Sequence, residues 1–224
     1  MHAKKSGPWG VLTRQRAAVW LACCLGGAVA LTGCGGGGGD GGAGPSAAQG
    51  SVSGVASKGL LKQAVVKVFA VDANGQLGAL LTQTRTDAAG HYTATGLTPG
   101  SQVVVEVSAD AQTLMADEAS GKDVTPAPGF KLRAAATLSG SGGTDPLQVT
   151  PYSEMAVAMA EANGGFKADV LAQANQRVKT YLSYDMLTEE PKFDGQNKPL
   201  NGAALSVAAV SVLANQKTLG ACQQ

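Results

Sequence analysis

The chain has 224 residues and a formal net charge of +1, from 17 Lys and Arg residues against 16 Asp and Glu residues. The first 33 residues hold four of the basic residues and no acidic one, so a chain without them carries a net charge of −3. That balance leaves no basic surplus for a polyphosphate partner and argues against nucleic-acid binding. The hydrophobic fraction of 44% is enough for a packed core, in one domain or two small ones.

The N-terminal segment, residues 1–33, has the layout of a secretory signal peptide. A cationic stretch precedes a short uncharged apolar run that ends among small residues. The residues Leu31, Thr32, Gly33 and Cys34 then resemble the lipobox of bacterial lipoproteins. The resemblance implies that signal peptidase II cleaves between Gly33 and Cys34, and that the Cys34 thiol takes a diacylglyceryl group. An ordinary signal peptide with Cys34 at its boundary is the alternative.

The lipidated cysteine and the segment after it, residues 34–50, predict a protein tethered to a membrane. Each buried methylene contributes about 0.8 kcal/mol, so three acyl chains at Cys34 would hold the chain on lipid essentially permanently. In Gram-negative lipoproteins an Asp after the cysteine favours the inner membrane; Gly35 stands there, and the resemblance therefore implies the outer membrane, with either face open. The Gly-rich composition of this segment predicts a flexible tether with a reach of roughly 20–24 Å.

Residues 51–138 are predicted to form an antiparallel β-sandwich, because short β-rich runs alternate with turn residues. Val65–Val71 is a β-branched run, and Asn74-Gly75 is typical of a hairpin turn. Thr98-Pro99-Gly100 matches a type II turn, with proline second and glycine third. A further strand has alternating faces, with Val103, Val105 and Val107 on one side and Val104 and Glu106 on the other.

Four segments of this region share the pattern of a known family: Val52–Val55, Leu61–Val68, Thr86–Tyr92 and Leu97–Gly100. They resemble a carboxypeptidase regulatory-like domain, a small sandwich similar to transthyretin (prealbumin) and to CnaB-type modules. The resemblance implies an accessory module that carries no active site. CnaB-type modules can hold a Lys–Asn isopeptide crosslink, and Lys62 and Lys67 are the lysines in place. We expect no crosslink, because no suitable Asn stands on a predicted last strand.

Residues 139–149 are rich in Gly and Ser and predict a linker, after which residues 150–224 change to a helical period. Thr150 can cap the first helix, with Pro151 at its first position and Glu154 in its first turn. The stripe expected to face the core of this helix consists of Tyr152, Met155, Ala156 and Met159.

Two more helices are predicted, over residues 167–182 and 202–217. The stripe expected for the second helix consists of Leu171, Ala174, Val178 and Tyr181. The third helix is apolar nearly all round, and such a helix is either buried or awaits a partner. The sequence thus predicts an α+β chain, a transthyretin-like sandwich followed by a small helical region.

Few residues suggest catalysis or metal binding. His91 is the one histidine outside the N-terminal segment, and a metal site would need further ligands, so a structural role is expected. The pairs Asp117-Glu118 and Glu189-Glu190 are adjacent, and adjacent strand residues point to opposite faces, so neither is an acid/base dyad. Asp87 is expected to cap its turn rather than to bind Ca²⁺. The sequence predicts no catalytic residue, no metal and no cofactor.

The remaining cysteine is Cys222, if Cys23 and Cys24 leave with the signal peptide and Cys34 is acylated. An odd cysteine in an oxidising compartment indicates an intermolecular disulfide, a free thiol or a missing partner. Because the apolar third helix lies just before it, two hypotheses stay open: the natural protein continues further, or this helix docks on another chain.

Three functions remain open on the sequence alone. The first is a non-enzymatic, lipid-anchored binding or structural module of the cell envelope, which contacts membrane lipid through acylated Cys34 and an envelope protein or glycan. The second is a carbohydrate-binding module of the starch-binding-like sandwich type, in which Tyr92, Phe69 and Phe130 would contact the sugar. The third is an envelope hydrolase with an unrecognised site in the helical region.

Overall fold

The computed structural model describes residues 49–117 and 120–221, and the side chains of the last helix through Leu213. Within this part of the chain the strands are β1 (Gly50–Val55), β2 (Leu61–Lys62), β3 (Val65–Val71), β4 (Leu77–Arg85), β5 (His91–Leu97), β6 (Gln102–Ser108), β7 (Leu114–Asp117), β8 (Lys122–Val124), β9 (Lys131–Thr137) and β10 (Gly143–Pro146). The helices are α1 (Pro151–Ala162), α2 (Ala168–Leu182) and α3 (Gly202–Ala221).

The strands form three sheets that are antiparallel except for one pair. A four-stranded sheet has the order β4-β3-β6-β9, and a three-stranded sheet has the order β10-β1-β5, in which β1 and β10 run parallel. A small sheet has the order β2-β7-β8. The chain is therefore a β-rich α+β fold with mostly antiparallel sheets, which confirms the coarser part of the predicted fold class.

The main core joins side chains from the two larger sheets. Val52, Tyr92, Ala94 and Leu97 come from the β10-β1-β5 sheet, and Val66, Val68, Val103, Val105, Val107, Leu132 and Ala134 come from the other. Burying each valine or leucine contributes about 1.5–3 kcal/mol. The predicted inward face of β6 is confirmed by its three alternate valines.

The four-stranded sheet is covered on its second face by helices. Val104 of β6 and Ala135 of β9 pack with apolar residues of α1 and α2 in a second core cluster. Alanine at this position of β9 lets the helices approach the sheet closely. β6 is therefore buried on both faces, and this arrangement fixes the helical layer to the sheet.

The predicted turns are present. The Asp72 carboxylate accepts the backbone N–H groups of Asn74 and Gln76, both at 2.8 Å, and Gly75 has φ +80°. Gly100 has φ +76°, and the Ser101 N–H donates to the Thr98 carbonyl at 3.3 Å, as a type II turn requires.

The stretch predicted as a linker, residues 139–149, is part of the folded domain, and its last three residues are buried. It contains β10, and Leu147 and Val149 are almost completely buried. The Val149 N–H donates to the Val55 carbonyl at 2.9 Å. Its Gly and Ser residues make the turn before β10, where the Asp145 carboxylate accepts the Ser139 N–H at 2.9 Å. Because Gly and Ser are typical of turns and linkers, the composition of this stretch did not predict the strand β10.

Candidate functional site

The helices form a layer on the four-stranded sheet, and its first helix, α1, begins with a capping box. The Thr150 side chain accepts the Ser153 N–H at 3.3 Å, and the Ser153 hydroxyl accepts the Thr150 N–H at 2.9 Å. Pro151 stands at the first position and Glu154 in the first turn, as predicted. This cap fixes where α1 starts and hence which of its side chains face the sheet.

The buried face of α1 differs from the predicted one. Ala156 is buried as expected, but it shares the inner face with Ser153, Val157 and Ala160. Tyr152 and Met159 are half-buried and Met155 is 38% exposed. These larger side chains stand at the edge of the buried face of α1. Tyr152 and Met159 still pack against the second core cluster, so the predicted stripe is confirmed except at Met155, and its outer edge also lines the surface.

The inner stripe of α2 is confirmed except at its end. Leu171, Ala174 and Val178 are buried, whereas Tyr181 is 82% exposed. Tyr181 lies on the same face of α2 as these residues, but near the end of the helix, where no neighbouring element in the described part of the chain covers that face. α2 is joined to α1 by a short loop and runs back along it, so the end of α2 lies beside the start of α1.

A groove lies between α1 and α2 on the surface of this layer. At one end it opens into a cavity of about 560 Å³, and towards the other end into one of about 210 Å³. The α1 wall consists of Tyr152, Met155, Met159 and Asn163, and the α2 wall of Val170, Gln173, Ala174, Arg177, Val178 and Tyr181. From Tyr152 to Asn163 the groove follows three turns of helix, roughly 16 Å. We call this surface the α1–α2 groove.

The side chains that line the α1–α2 groove are largely apolar, and several of them are flexible. Met155 and Met159 have flexible, polarizable side chains that fit irregular apolar partners. Arg177 is the charged residue of the lining and is itself exposed, so its alkyl stem can cover the wall while its guanidinium stays in water. Grooves of this kind receive amphipathic helices in protein recognition.

Tyr152 connects the groove to α3. Its hydroxyl donates to the Ser206 carbonyl at 3.1 Å, and burial raises its pKa, so it remains a donor. The Ser206 hydroxyl lies 2.6 Å from the Tyr184 hydroxyl and donates to the Ala203 carbonyl at 2.8 Å. α3 is therefore held beside the open end of the groove by a polar network as well as by packing.

α3 has two apolar stripes on opposite sides. The inner stripe is buried and consists of Ala203, Ala204, Val207 and Ala208, with the polar Ser211 buried at its end. The outer stripe consists of Leu205, Ala209, Val212 and Leu213, and its leucines are 63% and 59% exposed. These outer residues fall within about 100° of helix surface, the width of a packing face. We call this outer stripe the α3 ridge.

The sequence analysis singled out neither Met155 nor Arg177 as a binding residue. Methionines at positions 155 and 159 on an otherwise alanine-rich helix, with tyrosines facing them, are the pattern that could have indicated a surface groove.

His91 lies at the junction of β5 with the segment after α2. Its Nδ1 is 3.6 Å from Asp87 Oδ2 and its Nε2 is 3.5 Å from Glu190 Oε1. The side chain is half exposed, and cavities of about 240 and 270 Å³ lie on either side of it. Asp87 also accepts the Ala89 and His91 N–H groups at 2.8 and 2.9 Å, which confirms its turn-capping role.

The aromatic residues expected to contact a sugar do not form a platform. Tyr92 is 4% exposed and its hydroxyl donates to the Leu147 carbonyl at 2.5 Å, so it is a core residue. Phe69 is half-buried, and Phe130 packs against the main core. Tyr92 and Ala94 of β5 face inward, so Tyr92 offers no exposed ring for the predicted ligand contact.

Some of the other residues named in the sequence analysis lie in the part of the chain that the structure describes, and others lie outside it. Lys62 pairs with Asp123 at 2.7 Å, and Asp117 accepts the Ser120 N–H at 3.0 Å. Glu118, Cys222 and all of the lipobox residues lie outside the described residues. Among those that are described, no three His, Cys, Asp or Glu side chains are arranged to hold a metal ion, and no helix is long and apolar enough to cross a membrane.

No protein-family model matches the chain, and no curated protein matches it significantly. The assignment of the site therefore depends on its own residues.

Proposed function

We propose that the chain is a lipid-anchored, non-enzymatic module of the bacterial cell envelope that binds a protein partner through its helical layer. The observation that carries the proposal is the exposed apolar surface of that layer. It includes Met155 and Tyr181 at the α1–α2 groove and Leu205 and Leu213 on the α3 ridge. Exposed apolar side chains grouped on one surface are typical of an interaction site.

The anchor is supported by the lipobox of residues 31–34. Acylation of Cys34 places the folded part within the reach of a Gly-rich tether from the bilayer. Gly35 favours the outer membrane. A membrane-held module meets its partners at high local concentration, so a groove of modest affinity is sufficient.

The β-rich part acts as a scaffold in this proposal. Two sheets that share one core, with β6 buried on both faces, fit a transthyretin-like sandwich of the carboxypeptidase regulatory-like type. Such a scaffold needs no reactive group, because its task is to hold the helices rigidly.

The proposal is tested by affinity capture of the full chain from crosslinked envelopes. Three forms are compared: wild type, Cys34→Ser and Met155→Lys. Cys34→Ser should lose lipid attachment, and Met155→Lys should keep it but lose its captured protein, because a lysine beside Arg177 places two cations in an apolar site. Thr95→Lys, on an exposed position of β5, is the control. Capture that is equal in wild type and Met155→Lys would overturn the binding role of the groove.

A further inference from the structure

A polar cavity of about 270 Å³ lies on the outer face of the β10-β1-β5 sheet. Its lining includes Ser53 of β1 and Thr93 of β5, which are paired across the two strands and alternate with core residues, so they point away from the core. The segment after α2 contributes Thr188. That segment is held against the sheet because the Gln148 N–H donates to the Leu187 carbonyl at 2.9 Å. Residues that are distant in sequence therefore converge on one small polar space.

Gln148 is a buried polar residue of this lining, with 3% of its surface exposed. Its Oε1 accepts the Val55 N–H at 2.7 Å, and because a backbone N–H only donates, this bond fixes which end of the carboxamide carries the nitrogen. The Nε2 amine makes no hydrogen bond to any described residue. The enclosed side-chain atoms that lack a partner in the described residues are the hydroxyls of Ser57 and Ser211, so Nε2 opens on the cavity that Gln148 lines. Two oriented N–H donors are thus left for an occupant.

The same cavity also presents hydrogen-bond acceptors. The Glu190 carboxylate lines it, and the His91 Nε2 lies 3.5 Å from Glu190 Oε1. The hydroxyls of Ser53, Thr93 and Thr188 make no hydrogen bond within the described part of the chain, and each can donate or accept. An occupant therefore meets an amide donor, a carboxylate acceptor and three hydroxyls.

The ligand that matches this lining is uncharged and carries several hydroxyls. An anion would meet Glu190, and none of the described residues that line the cavity is a lysine or an arginine. A cation would face the Gln148 donors, and an apolar group would leave all of these polar atoms without partners. Vicinal hydroxyls donate and accept, so they can pair with the carboxamide, the carboxylate and the hydroxyls at once. The volume lies just below the roughly 300–1,000 Å³ of cavities for drug-sized ligands, so a single sugar ring is the larger limit.

We propose that this cavity binds one uncharged polyol unit, which is either a free polyol or one sugar of an envelope glycan. The inference rests neither on the helical layer nor on the lipid anchor. The site also differs from the aromatic contacts expected from the sequence, because it uses hydrogen bonds on the outer face of the sheet, whereas the Tyr92 ring belongs to the core.

Nuclear magnetic resonance of the full, isotope-labelled chain in detergent micelles tests the site. The probes are glycerol, methyl glucoside and methyl N-acetylglucosaminide, each added in turn. The expected result is a saturable shift of the Gln148 side-chain NH₂ signals. A shift with glycerol alone identifies a free polyol, and a shift with a glycoside identifies a sugar unit. No shift with any probe, or weak shifts spread evenly over the surface, means that the cavity holds water only and overturns the inference.

Two matched variants of β5 test the lining. Thr93→Val removes a hydroxyl from the cavity, and Thr95→Val removes one from the next exposed position of the same strand, outside the cavity. Thr93→Val should weaken binding of the probe by about two- to tenfold, and Thr95→Val should leave it unchanged. Both positions are exposed, so unchanged backbone spectra should confirm that both variants fold. Equal affinity in wild type and Thr93→Val, or equal losses in the two variants, contradicts the proposed site.

Discussion

Arg133 of β9 binds Glu154 of α1 in a fork, with Nε 3.1 Å from Oε2 and Nη2 2.6 Å from Oε1. Its Nη1 also lies 2.6 Å from Glu161 Oε1. Only 14% of the Arg133 side chain is exposed, and the hydrogen bonds with Glu154 raise its pKa further. One guanidinium thus fixes two turns of α1 to the sheet, and it sets the orientation of the helix that forms one wall of the groove.

Replacing this guanidinium should loosen the helical layer. Arg133→Gln leaves Glu154 without its charged partner and should lower the free energy of unfolding by about 1–3 kcal/mol. Chemical denaturation followed by circular dichroism measures the change. Lys131→Gln is the matched control on the same strand: Lys131 is 54% exposed and lies 3.4 Å from Glu106, so a change of less than about 0.5 kcal/mol is expected. Equal effects of the two substitutions would show that Arg133 does not hold α1.

Acid should weaken the fold partly through Asp110. Its hydrogen bond with Arg85 lowers the pKa of Asp110 to about 2, below the usual value of 3.8. A carboxyl group whose pKa is lowered by folding stabilises the folded state above its unfolded pKa, and this contribution disappears as the pH falls through the folded pKa. The free energy of unfolding should therefore decrease between about pH 4 and pH 2.

The variant Asp110→Asn isolates this contribution. It should be less stable than wild type at neutral pH, and the difference should narrow towards pH 2 as wild-type Asp110 is protonated. Denaturation midpoints measured at several pH values give the result. A constant difference over the whole range would mean that Asp110 does not titrate in the way the Arg85 contact requires.

The segment after β9 should be essential to stability, although its composition is that of a linker. Leu147 is 1% exposed in the main core, so Leu147→Ala should cost about 2–5 kcal/mol of unfolding free energy. Ser141→Ala, an exposed position in the same segment, should change it by less than about 0.5 kcal/mol. Thermal unfolding of the two variants compares them directly. A negligible effect at Leu147 would restore the linker prediction.

Tyr92 should affect stability rather than sugar binding. Tyr92→Phe keeps the packed ring but leaves the buried Leu147 carbonyl without this donor, which should cost about 1–2 kcal/mol. The melting temperature should fall by roughly 2–8 °C for a chain of this size. Glycan binding that disappears in Tyr92→Phe while the melting temperature is unchanged is the opposite result, and it would revive the carbohydrate-binding hypothesis.

Local sequence patterns predicted the features that depend on nearby residues. The strand Val65–Val71, the turn glycines Gly75 and Gly100, and the cap at Thr150 each follow from backbone preferences over a few positions. These preferences depend on neighbouring residues only, so they can be recognised in the sequence without knowledge of the tertiary structure.

Features set by long-range packing could not be predicted in this way. β10 pairs with β1, more than 90 residues earlier in the chain. The Gly and Ser residues next to β10 are typical of a linker, so the sequence did not predict a strand there. The exposure of Met155 and Tyr181 depends on which neighbouring elements cover their side chains in the folded chain. Helical periodicity does not specify this. Helical periodicity therefore predicted the helices but not the candidate groove between them.

The most direct test of the central claim is incorporation of labelled palmitate into the full chain in a Gram-negative host, with Cys34→Ser beside it. We expect a labelled wild-type band in the outer-membrane fraction and no label in the variant. A wild-type chain that is secreted without label, or a Cys34→Ser chain that is labelled equally, would contradict the account.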